Sequence, residues 1–195
     1  MPERFCAVAF HMRIFLLIMV FVFGVGVVVP SVTYAQDRQE QLDALFEQLQ
    51  TADDSNWEAL ETEIWELWAR SGSDAMDLLL QRGQDALESG KLDHAISHLS
   101  ALTDHAPNFA EGWNARATAF YLAGELGLSL DDIARTLVLE PRHFGALTGL
   151  GLILEELGDD VRALDAYRHA LAIHPQSDDI KGAVARLEQK RVKDI

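Results

Sequence analysis

Apolar side chains return along most of this chain at the three-to-four-residue interval of an α-helix, with polar residues between them. Leu42, Leu45, Phe46 and Leu49 mark one stripe, and Trp57, Leu60, Ile64, Leu67 and Trp68 mark the next. Between the two, Asp53-Asp54-Ser55 predicts a turn and a helix N-cap, and Ser71-Gly72-Ser73 ends the second helix. Residues 36–75 therefore read as a helical hairpin. Further on, Leu79, Ala86 and Leu99 hold helical spacing, as do Trp113, Phe120 and Ile133, then Leu147, Leu154 and Tyr167. A last stripe, Ile180, Val184 and Leu187, follows the helix start Ser177-Asp178-Asp179, and Lys190 and Arg191 suit the negative end of that helix. The pattern predicts an all-α chain.

Punctuation then reveals a repeat. Pro107, Pro141 and Pro175 are 34 residues apart, and Gly90, Gly124 and Gly158 keep the same interval, each 17 residues ahead of a proline. Glycine just past a helix end accepts a left-handed backbone, and proline follows a helix it cannot continue, so each unit is two short helices and two turns. Small residues recur where the two helices of a pair must touch: Gly83, Ala117 and Gly151 on the first, Ala95, Ser129 and Ala163 on the second. A larger side chain there would overpack the contact at a cost of about 1–3 kcal/mol.

Trp113-x2-Arg116-Ala117-x2-Phe120, followed by Ser129-x3-Ile133 and Pro141, resembles the tetratricopeptide repeat. Leu147-x2-Leu150-Gly151-x2-Leu154, with Ala163-x3-Tyr167 and Pro175, matches that pattern more closely still. The first unit departs from it at Arg82 and Ala86, where a leucine and an aromatic are usual, but Gly83, Ala95, Leu99 and Pro107 fit. The resemblance implies a TPR-type α-solenoid of three helix pairs at 76–109, 110–143 and 144–177, with an N-terminal hairpin and a C-terminal capping helix at 178–195.

Such arrays bind partners in the groove lined by the first helix of each pair. By register that face comprises Asp77, Leu80, Gln84, Leu87 and Glu88, then Glu111, Asn114, Thr118 and Tyr121, then Thr148, Leu152, Glu155 and Glu156. An acidic groove with apolar patches favours a basic or amphipathic protein segment, although the same carboxylates also serve solubility. The family's clamp for a C-terminal carboxylate needs Lys, Arg and Asn at fixed places, and that set is absent here. Arg82 and Arg116 occupy equivalent apolar positions; they read either as a paired anion site or as side chains that lay their methylenes on apolar surface with the head in water. Trp57, Trp65 and Trp68 read either as an aromatic platform or as a cap on the open core of the first repeat.

Residues 1–35 carry a different signal. Arg4 and Arg13 lead into Ile14 to Val29, sixteen residues without a polar side chain, and Thr33-Tyr34-Ala35 follows with small residues where a signal peptidase looks. The reading is an export signal; a retained anchor at 14–29 is the alternative, although a spanning helix wants about 20 apolar residues and this run is shorter. Either way the remainder is expected beyond a membrane, in the periplasm of a bacterium. Cleavage removes Cys6, the single cysteine, and with it disulfide and thiol chemistry.

The net charge of −15 repels a nucleic-acid backbone, and the only basic cluster is Lys190, Arg191 and Lys193. Catalysis finds little support. His94 and His98 stand four apart on a helix but lack a third ligand and a metalloprotease glutamate. No serine has a nucleophile-elbow context and no glycine belongs to a phosphate loop. The sequence therefore predicts a non-enzymatic adaptor without cofactor or metal, or a membrane-tethered assembly subunit, that holds a protein or peptide.

Overall fold

The computed structural model describes residues 30–193, with side chains from residue 37 onward. The apolar run at 14–29 lies outside the described residues, and no helix among those described is long and apolar enough to cross a membrane. The described residues form α1 (Pro30–Thr51), α2 (Trp57–Trp68), α3 (Asp74–Glu88), α4 (Leu92–His105), α5 (Ala110–Leu122), α6 (Leu126–Leu139), α7 (Phe144–Glu156), α8 (Asp160–Ile173) and α9 (Asp178–Lys193). Two compact units divide the chain. The first, Met1–Gln39, is described only as the opening turns of α1, and the second, Glu40–Ile195, contains the rest of α1 and all the other helices.

Helices α3/α4, α5/α6 and α7/α8 are the three pairs that the 34-residue period predicts. Their inner turns end alike: Gly90, Gly124 and Gly158 all have positive φ, at 69°, 78° and 79°. Each is followed by a residue whose N–H reaches back to the preceding helix, as Lys91 does to the Ala86 carbonyl at 2.8 Å, so orphan carbonyls at the helix end are satisfied. The close approach within a pair is equally concrete. A Cβ on Gly83 would lie 2.5 Å from the Leu99 side chain, and one on Gly151 2.6 Å from the Tyr167 ring. A side chain at either position would drive its pair apart.

Between pairs the core is mostly apolar. Leu80, Ala95, Leu99, Leu102 and Ala119 cover the junction of the first two repeats, and Ala117, Ile133, Ala146 and Ile153 that of the next two. One buried ion pair interrupts it. Arg116 Nε donates to Asp132 Oδ2 at 2.7 Å and Nη2 to Oδ1 at 2.9 Å, while Nη1 donates to Thr103 Oγ1 of the preceding repeat at 2.8 Å. The guanidinium also lies 4.9 Å from the centre of the Trp113 ring. The expectation of a hydrated head is thus corrected for Arg116, whose Nε, Nη1 and Nη2 all donate within a cross-repeat staple; Arg82 remains exposed.

The hairpin departs from expectation in a way that matters for function. It does not cap the first repeat. Its apolar face, with Phe46, Leu49, Ile64, Leu67 and Trp68, joins one core with Phe144, Leu147, Leu164 and Tyr167 of the third repeat and Ile180 and Leu187 of α9. Gln50 donates to the carbonyls of Ala172 and Ile173, both at 2.8 Å, and Gln176 donates to that of Ala52 at 2.5 Å. Arg142 pairs with Asp43 at 2.8 Å and stands over the Phe46 ring. From there α2 runs back along the edge where successive repeats are joined. Trp57 meets His174, Trp65 and Trp68 meet His143, and Ala69 reaches the core of the first repeat. The Asp53–Ser55 turn forms as expected, with Asp53 Oδ1 accepting from the Ser55 N–H at 2.9 Å, but the residue at the N-cap is Asn56 and makes no side-chain cap bond.

Removing one member of a buried ion pair leaves the other uncompensated, a loss of about 3–5 kcal/mol. Arg116→Ala and Asp132→Ala should each lower urea-unfolding stability on that scale, and Arg116→Met with Asp132→Leu should recover most of it. Single variants within about 0.5 kcal/mol of the parent would refute the staple, since that is the ordinary range for surface substitutions.

Candidate functional site

Because the repeats follow one another in register, α5, α7 and α9 start at the same edge, and α2 lies along it. A cleft of about 430 Å³ opens between these four helices and α6, which adds Ser129 and Ile133 to its lining. Its walls are Asn114, Ala117, Thr118, Tyr121 and Leu122 of α5, Gly145, Thr148, Gly149 and Leu152 of α7, Asp179 and Ile180 of α9, and Glu61 and Trp65 of α2. Leu122 and Leu152 are 54 % and 43 % exposed, large apolar side chains facing open space. The ionisable lining residues besides Tyr121 are Glu61 and Asp179, both carboxylates.

Helix α2 forms a strap along this edge, fixed by aromatic and polar contacts. Trp68 stacks on His143 with ring centres 4.1 Å apart and 8° between planes. His143 Nδ1 accepts the Ala146 N–H at 3.2 Å, which leaves Nε2 to donate to Glu111 Oε2 at 3.0 Å. Trp65 lies directly over Gly145, where a Cβ would come within 2.6 Å of the indole. Behind it, Glu61 Oε1 accepts from Trp65 Nε1 at 3.4 Å, and Oε2 stands 3.6 Å from His174 Nε2. The adjacent His174 ring holds the Glu61 carboxyl below its ordinary value, so Glu61 is an anion at neutral pH.

Of the groove residues expected from register, Asn114, Thr118, Tyr121, Thr148 and Leu152 come together in this cleft. Others have different work. Glu111 is 5 % exposed and bound to His143 and Asn114, because α2 covers the helix starts; it is not an open groove carboxylate. Glu155 is held by the Tyr167 hydroxyl at 2.8 Å and by the Arg186 guanidinium, so it ties α7, α8 and α9 together instead of facing a partner. Asp77 accepts from the Ser71 N–H at 2.7 Å and closes the α2–α3 connection, and Leu80 is buried in the core. Gln84, Leu87, Glu88 and Glu156 are at least partly exposed but line no part of the cleft. Glu61, Trp65 and Asp179 were missed as a set. The tryptophans were the available signal, but no periodicity says which repeat the hairpin reaches. Among the described residues, no three His, Cys, Asp or Glu side chains are grouped to hold a metal ion.

The tetratricopeptide repeat family description matches residues 80–139 and 129–178. A TPR repeat-containing protein of Rhizobium etli is 34 % identical over 166 residues, which is 85 % of this chain and 81 % of that protein. This chain belongs to the tetratricopeptide repeat family. Solved TPR structures share the fold. The first TPR domain of Spaghetti (RPAP3) bound to an HSP90 peptide superposes with a TM-score of 0.59 at 19 % identity, covering 62 % of this chain and 95 % of that domain. The Yersinia enterocolitica type III secretion chaperone SycD, in complex with a peptide of the translocator YopD, gives 0.57 at 13 % identity, covering 61 % and 96 %. Those alignments cover about three fifths of this TPR protein.

The Glu155 contact has a pH signature. The hydrogen bond from Arg186 holds its carboxyl below the ordinary value of 4.5, so the unfolded chain takes up the proton first on acidification. Its stabilisation is complete above the ordinary value and is lost as pH falls through the lower, folded one. The stability difference between the parent and Glu155→Gln, measured by urea unfolding, should therefore be present near neutral pH and shrink as the pH is lowered below 4.5. A difference independent of pH would contradict the assignment.

Proposed function

We propose that this protein is a non-catalytic adaptor of the bacterial envelope that holds a basic or amphipathic segment of another protein in the cleft between α5, α7 and α9. The observation that carries the reading is the cleft's chemistry. It offers exposed leucines and a tyrosine for apolar side chains, hydroxyl and amide groups for backbone, and carboxylates as its charges. Surfaces of this kind favour a cationic partner and repel an acidic one. The peptides bound by two similarly folded TPR proteins support the reading that this fold holds chain segments. Placement in the periplasm is supported by the apolar run at Ile14 to Val29 with its flanking arginines and small residues at 33 and 35.

A membrane-tethered assembly subunit is the second reading: the sixteen-residue run slightly exceeds the usual apolar region of a signal, although it is shorter than the about 20 residues of a spanning helix. Carbonate extraction separates the two: a cleaved, exported adaptor is released, and a retained anchor is not.

A photo-crosslinking residue at Leu152 should capture a protein segment in the native envelope, and one at Glu88 should not. The crosslinked segment, mapped by mass spectrometry, should be amphipathic with Lys or Arg. Leu152→Glu should weaken binding of that segment at least about tenfold, the scale of losing a buried apolar anchor. Capture at Glu88 alone, or of an acidic segment, would overturn the cleft assignment.

A further inference from the structure

The cleft has two unlike ends. Gly145 and Leu152 lie on the same wall seven residues apart, about 10 Å along α7. At the Gly145 end stand Trp65 and Glu61 of the strap and Asp179 of α9; at the other stand Tyr121, Leu122 and Leu152. The first end is therefore anionic with an aromatic wall, and the second is apolar.

Glu61 is held in place from behind. Its carboxylate is bonded to Trp65 at 3.4 Å and stands 3.6 Å from His174, which is 1 % exposed with neither ring nitrogen within hydrogen-bond distance of a partner. The Glu61 side chain is nonetheless 31 % exposed, so part of the carboxylate surface remains open to an incoming group. Asp179, one position inside the start of α9, is exposed. Among the described residues lining the cleft there is no lysine or arginine to neutralise the two. A planar guanidinium satisfies this arrangement better than an ammonium, because it donates in a fork to carboxylates and also stacks on an aromatic ring.

We propose that the strap helix reads the partner: Glu61 and Trp65, together with Asp179, receive one arginine side chain, and Tyr121, Leu122 and Leu152 receive an apolar side chain about 10 Å away. On a helical partner that distance corresponds to about seven residues, and on an extended one to about three. The inference rests on the cleft being the partner-binding surface. It adds that specificity comes from a segment outside the repeats, and that arginine is preferred to lysine.

The test is selection of random twelve-residue displayed peptides on the full-length chain held in mild detergent, followed by titration of the recovered peptides. Parent protein should enrich arginine and an apolar residue at one of the two spacings. Replacing that arginine by citrulline, which keeps the shape and removes the charge, should weaken binding at least about tenfold, and lysine should fall between. The doubly substituted Glu61→Gln, Asp179→Asn protein keeps side-chain size, and its melting curve checks its fold. It should retain the apolar preference and bind arginine and citrulline peptides within about twofold. Apolar enrichment without arginine, or equal binding of citrulline by the parent, would overturn the arginine site and leave the cleft standing. Peptides selected by the parent that bind Leu152→Glu unchanged would sink both.

Discussion

A 34-residue unit of two short helices has an apolar flank that it cannot cover by itself, and the rest of this structure follows from how each flank is covered. Within a pair, contact depends on positions that lack a side chain: Leu99 fills the space over Gly83, and the Tyr167 ring that over Gly151. Between pairs, a mostly apolar seam is crossed by the Arg116–Asp132–Thr103 staple. At the last pair α9 takes the place of a next repeat, with Ile180 and Leu187 in the shared core and Arg186 bound to Glu155.

The edge where repeats join is closed in a second way. The starts of α5 and α7 carry Glu111, His143 and Phe144, groups too bulky and too polar to be left half covered. The hairpin covers them. Its tryptophans lie against His143, Phe144 and His174 in succession, so that a helix outside the repeats touches several of them. This covering also shapes the site. Without α2 the cleft would lose Glu61 and Trp65 and become a shallower, more nearly neutral groove. The same helix thus covers the repeat starts and lines the cleft.

The repeat architecture was legible from the chain because it is written twice over, in the proline and glycine intervals and in the small residues of each pair. The helix starts and ends were readable for the same local reasons. The hairpin's destination was not. Leu42 through Trp68 declare an apolar face, but a helical stripe states only that it must be covered, and the surface that covers it is about a hundred residues away in sequence. The engagement of two carboxylates follows from that. Register placed Glu111 and Glu155 on the partner-facing side, yet α2 and α9 claim them. Asn114, Thr118, Tyr121, Thr148 and Leu152, by contrast, line the cleft.

The make-up of the cleft thus depends on where α2 lies, and one contact reports that placement directly. Trp65 over Gly145 brings an indole ring edge within van der Waals reach of a glycine Cα in the third repeat. In a selectively labelled sample, nuclear Overhauser spectra should show a strong cross-peak between the Trp65 ring protons and the Gly145 Hα protons. If Trp65 instead showed cross-peaks to the open flank of α3 and α4, with none to Gly145, the strap and the composite cleft would both be contradicted.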